Sequence, residues 1–261
     1  MRLSFRQSYL ASLTMIVKEV HARNVLSRSK VFDYVVNPYT GCQHGCTYCY
    51  ARFMKRFTGH YEPWGQFVDV KVNAPELLER EVTRKPMGRV WVSGVCDPYQ
   101  PLEKKYELTR KCLQILLCHG WPVTIQTKSP LILRDMDTLK GRDKLEVGLS
   151  VTTADEEIRK LFEPNAPPIT ERIKSLDQLH LAGIRTFAMI APMLPGAEGL
   201  AAVLNGKVDY VLIDRMNYHY GDWVYRKYHL ESDRSDEFFL ARGKELASSF
   251  KKVGIECQVV F

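Results

Sequence analysis

From residue 31 onward, short apolar runs rich in β-branched residues alternate with segments whose apolar positions repeat every three to four residues. The runs are nearly continuous in apolar character, which is typical of parallel strands buried on both faces. Six of them are predicted as strands: Val31–Val36, Arg89–Val95, Val123–Lys128, Leu145–Thr152, Thr186–Met193 and Tyr210–Met216. Two further runs, Phe67–Val72 and Ile255–Phe261, are predicted to flank this set.

Helices are predicted between the strands, and most of them stop at a glycine. They cover Pro75–Arg84, Leu108–His119, Ile169–Leu181, Gly199–Leu204 and Asp236–Lys252. Asn73 is in position to cap the first helix. The glycines that follow the others are Gly120, Gly183, Gly206 and Gly254, as expected for a left-handed residue at a helix C-terminus.

Six βα units in series predict an α/β fold with a parallel sheet and right-handed crossovers. The pattern alone does not distinguish a closed barrel, a partial barrel and an open sheet. No linker divides the chain, so we expect a single domain over residues 31–261 and an N-terminal extension, residues 1–30, that packs on it. No apolar run approaches the roughly 18 residues of a membrane-spanning helix, and the N-terminus lacks the small-residue cleavage pattern of a signal peptide.

Composition adds two constraints on function. Lysine and arginine total 37 against 30 acidic residues, so the net charge is +7, which favours an anionic partner such as nucleic acid or an acidic redox protein. The chain has seven cysteines, an odd number. In a chain of this size without an export signal, that number argues against a disulfide framework and for the reducing cytoplasm.

Three cysteines directly after the first predicted strand form the strongest motif. Cys42, Cys46 and Cys49 have the spacing C-x3-C-x2-C, and Gly41 and Gly45 allow the loop to wind tightly enough for the thiolates to converge. Soft thiolates select zinc, copper(I) or iron–sulfur clusters. Because a closed [4Fe–4S] site takes four cysteines, three would leave one iron open to a cofactor or substrate.

Two alternative roles for these cysteines stay open at this point. The first is a structural zinc site with His44 or His60 as the fourth ligand, although zinc sites usually combine C-x2-C pairs that are a dozen or more residues apart. The second is that the cysteines are buried and bind nothing. Three cysteines in one glycine-rich loop make a poor hydrophobic core.

The cysteine motif, with an aromatic residue before its last cysteine, resembles the radical S-adenosylmethionine (SAM) superfamily. The wider chain resembles the spore photoproduct lyase-like branch, often labelled DNA repair photolyase. The segments that carry this resemblance are Asn37–Ala51, Ser93–Glu103, Thr127–Lys128, Ser150, Phe162–Pro164 and Ala191–Pro192. They occur in the order and approximate spacing of that branch, from about residue 31 to the end of the chain.

The resemblance implies a partial (β/α)6 barrel of the TIM type and a [4Fe–4S] cluster on the three cysteines. SAM would bind the open iron and be cleaved reductively to a 5′-deoxyadenosyl radical, which abstracts hydrogen from a substrate. The cofactors carry the hard chemistry and the protein positions them.

The resemblance also implies residues that contact SAM. Lys128 would lie near its carboxylate or ribose, Ser150 near its hydroxyls, and Arg172 near its carboxylate, which suits a guanidinium. Ser93 and Gly94 fall where the superfamily often binds the SAM amine, although the common Gly-Gly-Glu form is missing. The alternatives are a solvated lysine, a core serine and a surface arginine.

Cys96 falls near the position where the lyase keeps a cysteine that gives a hydrogen atom to the product radical. Tyr48 and Tyr50 flank Cys49, as tyrosines do in the lyase, and would relay a hydrogen atom. The alternative for Cys96 is a small buried residue without chemistry, because free cysteine is among the most buried residue types.

Two surface patches bear on partners. Arg52, Lys55 and Arg56 would dock a flavodoxin or ferredoxin-type electron donor or hold substrate phosphates, or they form a solvated helix face. Residues 217–229 interleave aromatic and basic side chains after the sixth strand. Such a segment suits a nucleic-acid platform and equally a lid that closes the barrel.

We therefore expect a cytoplasmic radical SAM enzyme, lyase-like, with nucleic acid as the leading substrate class and DNA repair as one role. One alternative is modification of a peptide or small metabolite. A second is a zinc-stabilised nucleic-acid-binding module without chemistry.

Overall fold

The computed structural model describes residues 15–261, so the first part of the predicted N-terminal extension lies outside the described residues. Within that range the strands are β1 (Ile16–Val20), β2 (Leu26–Arg28), β3 (Tyr34–Val36), β4 (Tyr39–Thr40), β5 (Phe67–Lys71), β6 (Val90–Val92), β7 (Val123–Thr127), β8 (Leu145–Ser150), β9 (Arg185–Ile190), β10 (Tyr210–Ile213) and β11 (Glu256–Val259). The α-helices of the same range are α1 (Ala74–Val82), α2 (Glu103–Tyr106), α3 (Leu108–Cys118), α4 (Met136–Leu139), α5 (Glu156–Phe162), α6 (Ile169–Leu181), α7 (Leu200–Leu204), α8 (Asp222–Lys227) and α9 (Asp236–Lys252).

The main sheet contains all six predicted barrel strands. Its order is β11-β10-β9-β8-β7-β6-β3-β2, and every pairing from β3 to β11 is parallel, whereas β2 pairs antiparallel with β3. Because β2 and β11 end the order, the six parallel strands do not close on themselves. The predicted partial (β/α)6 barrel is confirmed, and the flanking position predicted for the last strand is confirmed by its pairing with β10.

Local turn chemistry shortens the first barrel strand. Ser29 Oγ accepts hydrogen bonds from the backbone N–H groups of Val31 and Phe32, and Ser29 N–H donates to the carbonyl of Asp33 at 3.4 Å. Serine favours such turns because its hydroxyl replaces a backbone partner. The strand therefore begins at Tyr34, not at the predicted Val31.

The prediction that Phe67–Val72 flanks the barrel is wrong. This run forms β5, the centre of a separate three-stranded sheet of order β1-β5-β4. β1 pairs with it in parallel, and β4, immediately before the cysteine loop, pairs antiparallel. Because β1 belongs to the predicted N-terminal extension, that part of the chain supports the strand on which the cysteine loop rests. The division into residues 1–30 and a single domain of residues 31–261 stays a prediction.

The helices end where the glycines predict. Gly120, Gly183, Gly206 and Gly254 all have positive φ, between 70° and 77°. Asn73 precedes α1, but its side chain does not cap the helix. Instead it pairs with the backbone of Ala22, accepting from its N–H at 2.9 Å and donating to its carbonyl at 3.0 Å. This residue ties the segment after β1 to the helix, a partner that the local pattern does not reveal.

The parallel arrangement determines where chemistry occurs. The carboxyl ends of parallel strands lie at one edge of a sheet, so the loops that follow them meet there. The cysteine loop follows β3 and therefore lies at this end. No helix within residues 15–261 has the length and apolar character needed to span a membrane.

Candidate active site

A cavity of about 290 Å³ opens at the carboxyl end of the barrel strands. Its size is near the lower end for small-molecule sites. Ten of the predicted site residues line it: Cys42, Cys46, Tyr48, Cys49, Tyr50, Ser93, Gly94, Cys96, Lys128 and Ser150. Residues separated by more than a hundred positions in sequence thus share one cavity, and Arg172 is the predicted site residue that does not line it.

The cysteine loop packs backbone against backbone on the small sheet. Gly41 has φ +92°, and a Cβ there would overlap the carbonyl of Phe67. Gly45 has φ +59° and contacts Gly65, where an added Cβ would lie 2.8 Å from the Gly45 Cα. Glycine is required at such approaches because any side chain would displace the loop. Sequence reasoning identified Gly41 and Gly45 and missed Gly65, whose partner is distant in the chain.

All three thiols reach the cavity from this loop. Cys42 and Cys46 are 7% exposed, and Cys49 is half-buried. Burial raises the pKa of the Cys46 thiol to about 12, although the nearby Lys128 ammonium opposes this shift. A metal would displace such a proton on binding, because the thiolate is the ligand. Three soft donors beside an open volume fit a group larger than a single ion.

The loop is held from one side by the segment that follows β6. Gln100 is fully buried, and its Oε1 accepts from the N–H of Gln43 at 3.0 Å while its Nε2 donates to the carbonyl of Gly41 at 3.3 Å. In return, Gln43 Oε1 accepts from the N–H of Leu102 at 2.7 Å. This reciprocal pair satisfies backbone groups of the loop that water does not reach.

Asp97, from the same segment, is a second anchor. Its Oδ2 lies 3.3 Å from Nε2 of His44 and accepts from the N–H of Lys128 at 2.7 Å. Its Oδ1 accepts from the hydroxyl of Thr127 at 2.5 Å and from the N–H of Tyr99 at 2.9 Å. Burial alone would raise the pKa of Asp97, but His44 and these hydrogen bonds lower it to about 2.

On the other side, Glu163 is the centre of a buried ionic cluster. It accepts hydrogen bonds from the hydroxyls of Tyr48 and of Thr152, the latter at 3.1 Å. Its Oε2 lies 2.6 Å from Nη2 of Arg172, and its Oε1 lies 3.8 Å from Nζ of Lys128. Burial alone would raise the pKa of Glu163, but the two cations outweigh this effect and lower the pKa to about 2.

Arg172 is fully buried behind the cavity. Besides its ion pair with Glu163, it donates from Nε to the carbonyl of Pro167 at 2.9 Å and from Nη1 to the carbonyl of Ser150 at 3.0 Å. Its donors therefore face the protein, whereas Lys128 reaches the cavity. The predicted contact of Arg172 with SAM thus lacks support from its position, and the guanidinium instead neutralises Glu163.

The other residues predicted to contact the cofactor differ in whether their hydrogen-bonding groups already have a partner in the protein. The Ser93 hydroxyl has one, since it donates to the carbonyl of Val36 at 3.1 Å. The N–H of Gly94 donates to Asn37 Oδ1 at 2.9 Å. Ser150 Oγ accepts from Gln126 Nε2 at 3.2 Å, which leaves its hydroxyl hydrogen available to a bound molecule.

Cys96 and Tyr50 both line the cavity. The Cys96 thiol donates to the carbonyl of Tyr39 at 3.5 Å, and the Tyr50 hydroxyl donates to the carbonyl of Gly94. Burial raises the pKa of Cys96 to about 12, so the thiol keeps its hydrogen at neutral pH. A neutral thiol is the form that can give up a hydrogen atom.

The turn after β10 forms a further part of the cavity wall and packs against the cysteine loop and the helix that follows it. Asp214, Asn217 and Tyr218 line it. Asp214 Oδ2 accepts from Nδ2 of Asn217 at 2.8 Å, and burial raises the pKa of Asp214 above its ordinary value. Asn217 and Tyr218 belong to the aromatic and basic segment 217–229 that the sequence singles out, whereas Asp214 lies within the predicted sixth strand and has no signal of its own. In the same segment, Tyr225 is buried and packs on Phe162 with ring centroids 4.8 Å apart.

The basic patch lies on the 3-10 helix Tyr50–Phe57, next to the last cysteine. Arg52 donates to the carbonyl of Thr47 at 3.1 Å, and Lys55 donates to the carbonyl of Tyr61 at 2.7 Å. The Arg56 guanidinium lies over aromatic rings of the same helix. These cations are therefore partly engaged with their own surroundings.

Of the two histidines proposed as alternative zinc ligands, His44 lines the cavity beside Asp97, and His60 is engaged elsewhere. His60 Nδ1 lies 2.9 Å from Glu62 Oε2 and its Nε2 lies 3.0 Å from Asp69 Oδ1, so this ring braces the small sheet. In the part of the chain that the structure describes, no three His, Cys, Asp or Glu side chains are arranged around a single ion.

Comparisons with known proteins agree with this geometry. The family model of the Radical SAM superfamily matches residues 36–198, more than half of the chain. An uncharacterized protein of Methanocaldococcus jannaschii is 37% identical over 179 residues, which is 68% of this chain and 67% of that protein. One of Mycobacterium tuberculosis H37Rv is 31% identical over 172 residues, 63% of this chain and 50% of that protein. The Radical SAM Nalpha-GlyT isomerase of Pseudomonas phage M6 is 25% identical over 186 residues, 67% of this chain but 38% of the phage protein.

Solved structures share the fold at low identity. Spore photoproduct lyase complexed with dinucleoside spore photoproduct superposes with a TM-score of 0.72 at 14% identity, over 99% of this chain and 86% of the lyase. SuiB of Streptococcus suis bound to its precursor peptide gives a TM-score of 0.60 at 15% identity, over 87% of this chain and 48% of SuiB. The chain therefore belongs to the radical SAM superfamily and is a radical SAM enzyme with the fold of spore photoproduct lyase.

Proposed function

We propose that this enzyme holds a [4Fe–4S] cluster on Cys42, Cys46 and Cys49, cleaves SAM reductively and abstracts hydrogen from a nucleic-acid substrate. The observation that carries the proposal is the cavity itself, where the three thiols meet Lys128 and the free thiol of Cys96. When bound, the cluster and SAM supply one-electron bond cleavage and hydrogen abstraction.

The chain's own residues would bind and orient the cofactor. The Lys128 ammonium stays charged because Glu163 offsets the burial that would otherwise lower its pKa. It therefore offers a cation to a carboxylate, and the Ser150 hydroxyl offers a donor to a second group of the same molecule. Glu163 and Arg172 hold these two residues in place from behind.

Cys96 and Tyr50 would act on the substrate side. A neutral thiol and a phenol both carry a hydrogen atom that can be transferred to a carbon-centred radical. Tyr48 is less suited to such a relay, because it is 9% exposed and its hydroxyl donates to the buried Glu163 carboxylate, whereas Tyr50 is 37% exposed. We therefore propose Cys96 as hydrogen donor and Tyr50 as its neighbour in the relay.

Three observations favour nucleic acid as the substrate class. The net charge is +7, and aromatic side chains are exposed at the mouth of the cavity. The lyase of the same fold is complexed with a dinucleoside photoproduct. On the same basis we propose a lyase-like reaction on nucleic acid, of which DNA repair is one form.

We further propose that the enzyme works in the reducing cytoplasm and receives its electron from an acidic redox protein. All seven cysteines, each within the described residues, are free thiols. The patch of Arg52, Lys55 and Arg56 lies beside the last cluster cysteine and suits a flavodoxin or ferredoxin-type donor.

The test is anaerobic reconstitution with iron and sulfide, reduction, addition of SAM and chromatography of 5′-deoxyadenosine. We expect product from the wild type and none from Cys46→Ala. One tightly bound zinc without iron would overturn the proposal in favour of a binding module. Single-stranded DNA, a peptide library and small metabolites are then compared as stimulants of turnover. Stimulation by a peptide or a metabolite alone would overturn the nucleic-acid assignment and leave the radical chemistry standing.

A further inference from the structure

We propose that Tyr50, Tyr218 and Tyr220 form a stacking platform that holds an unpaired nucleobase at the mouth of the cavity. The inference rests on the proposed nucleic-acid substrate and names the residues that would recognise it. These residues are called the tyrosine row below.

The tyrosine row leads from the cavity to the surface. Tyr50 and Tyr218 have ring centroids 6.0 Å apart and an interplanar angle of 22°. Tyr218 and Tyr220 are also 6.0 Å apart, at 11°. The first two rings line the cavity, and the three side chains are 37%, 49% and 38% exposed in chain order. Near-parallel rings that stay exposed are available to a planar ligand.

The row is held in position before any ligand arrives. The Tyr50 hydroxyl donates to the Gly94 carbonyl, and Gly221 packs so closely on Tyr48 that an added Cβ would lie 3.2 Å from the Tyr48 Cβ. Arg234 donates to the carbonyl of Tyr218 at 3.4 Å. Such preorganisation lowers the entropy cost of binding.

A cation strengthens the outer end of the row. The Arg52 guanidinium carbon lies 4.8 Å from the centroid of the Tyr220 ring, and the same guanidinium is fixed by the Thr47 carbonyl. The arrangement places positive charge within reach of a backbone phosphate. Aromatic side chains that stack bases, with arginine beside them, are the recurring features of single-strand binding.

The alternative of a closing lid fits other residues of the segment better. Gly221, Val224 and Tyr225 are the buried members, and Tyr225 packs on Phe162 of the barrel. These buried residues attach the segment to the barrel, whereas the rings of the tyrosine row stay exposed for binding. A base stacked on Tyr218 would lie beside the cavity, where hydrogen abstraction is proposed. Because a paired base has its faces covered by neighbours, the platform selects an unpaired or extruded base.

The test measures anaerobic fluorescence anisotropy of a labelled single-stranded oligothymidylate with the reconstituted enzyme. We expect Tyr218→Ala to weaken binding by about tenfold, which is within the range for one stacked base. Tyr218→Phe keeps the ring and should stay within about twofold of the wild type. Tyr220→Ala, whose side chain does not line the cavity, should weaken binding by about fivefold, the lower end of that range, and replaces Tyr218→Ala if that variant fails to fold.

The matched control is Tyr228→Ala, an exposed tyrosine of the same segment that lies outside the cavity. Its affinity and its formation of 5′-deoxyadenosine should equal those of the wild type. If Tyr218→Ala and Tyr220→Ala fold and bind the oligonucleotide as tightly as the wild type does, the platform is overturned, while nucleic-acid binding stands. If the wild type forms 5′-deoxyadenosine but binds no nucleic acid, the platform and the substrate class are both overturned. The same follows if Tyr218→Ala weakens the binding of a peptide and leaves the binding of the oligonucleotide unchanged.

Discussion

On one side of the cavity, the cysteine loop is buried and is hydrogen-bonded by two separate segments of the chain, Asp97–Glu103 and Phe162–Asn165. In another part of the cavity wall, the turn after β10 carries several aromatic side chains in solvent. We call the cysteine loop the first wall and the turn after β10 the second wall. The first wall is held by side chains from distant parts of the chain, which suits the cofactors proposed there. The second wall keeps aromatic side chains exposed, which suits the proposed substrate. Rigidity and exposure are therefore divided between two parts of one cavity.

The largest effect should follow removal of the buried carboxylate behind the first wall. Glu163→Ala leaves Arg172 and Lys128 as buried cations without a counterion, and we expect the free energy of unfolding to fall by about 3–5 kcal/mol. Urea denaturation followed by circular dichroism measures it. The matched control is Glu245→Ala, which breaks an exposed pair with Arg242 and should change nothing measurable. Equal effects of the two variants would contradict the comparison.

The second largest effect is expected at Gly41, the glycine through which the cysteine loop packs on β5. Gly41→Ala combines a left-handed backbone with an overlap on the Phe67 carbonyl, so a loss of about 2–4 kcal/mol and a low iron content after reconstitution are expected. Gly59→Ala is the control, because Gly59 has φ +69° but nothing within 4 Å of an added Cβ. It should lose only about 1–2 kcal/mol and load iron normally. A normally loaded Gly41→Ala would show that the loop tolerates displacement.

Acid should weaken the first wall more than the second. Asp97 has a folded pKa of about 2 against an ordinary 3.8, so its stabilisation is present above about pH 4 and is lost as the pH falls toward 2. The loss amounts to about 2 kcal/mol, and Asp97→Asn should remove it from the pH profile of urea midpoints. Asp214 has a raised pKa, so protonating it favours the folded state. If Asp214→Asn also removed the loss of stability at low pH, the assignment of that loss to Asp97 would be contradicted.

Cys96→Ala tests the proposed hydrogen donor. It should lower the free energy of unfolding by only about 1 kcal/mol. The variant should still form 5′-deoxyadenosine, because the thiol contacts the carbonyl of Tyr39 and not the cysteine loop. With the true substrate, its products should differ from those of the wild type, since the final hydrogen donor is missing. Cys112→Ala, which removes a thiol from the core outside the cavity, is the control and should keep the wild-type products. Unchanged products of Cys96→Ala would exclude this donor role.

The smallest effect on stability is expected at the second wall. Asn217 is exposed and bonds Asp214, so Asn217→Ala should leave the free energy of unfolding within about 0.5 kcal/mol of the wild type. Iron content should also be unchanged. A large destabilisation would show that this wall is as rigid as the first.

Much of the barrel and the core of the site is predictable because its signals are local. The limits of α6 and α9 follow from spacing and from the terminal glycines. The cysteine motif is contained in eight neighbouring residues, so one loop suffices to identify it. The Phe-Glu-Pro and Asp-Pro-Tyr-Gln segments were also visible, but their roles as supports for the loop were not, because each contacts the loop across more than fifty residues.

The sequence by itself determined the alternation of strands and helices in the barrel, the three cysteines of the motif, and most of the residues that share the cavity with them. Only the tertiary structure decided that β5 joins a separate sheet, that Arg172 neutralises Glu163 instead of reaching the cavity, and that Tyr218 stacks on Tyr50. The physical reason is that periodicity and spacing reflect the backbone's local preferences. Ion pairs, backbone contacts between glycines and ring stacking depend on which distant segments the closed chain brings within a few ångströms.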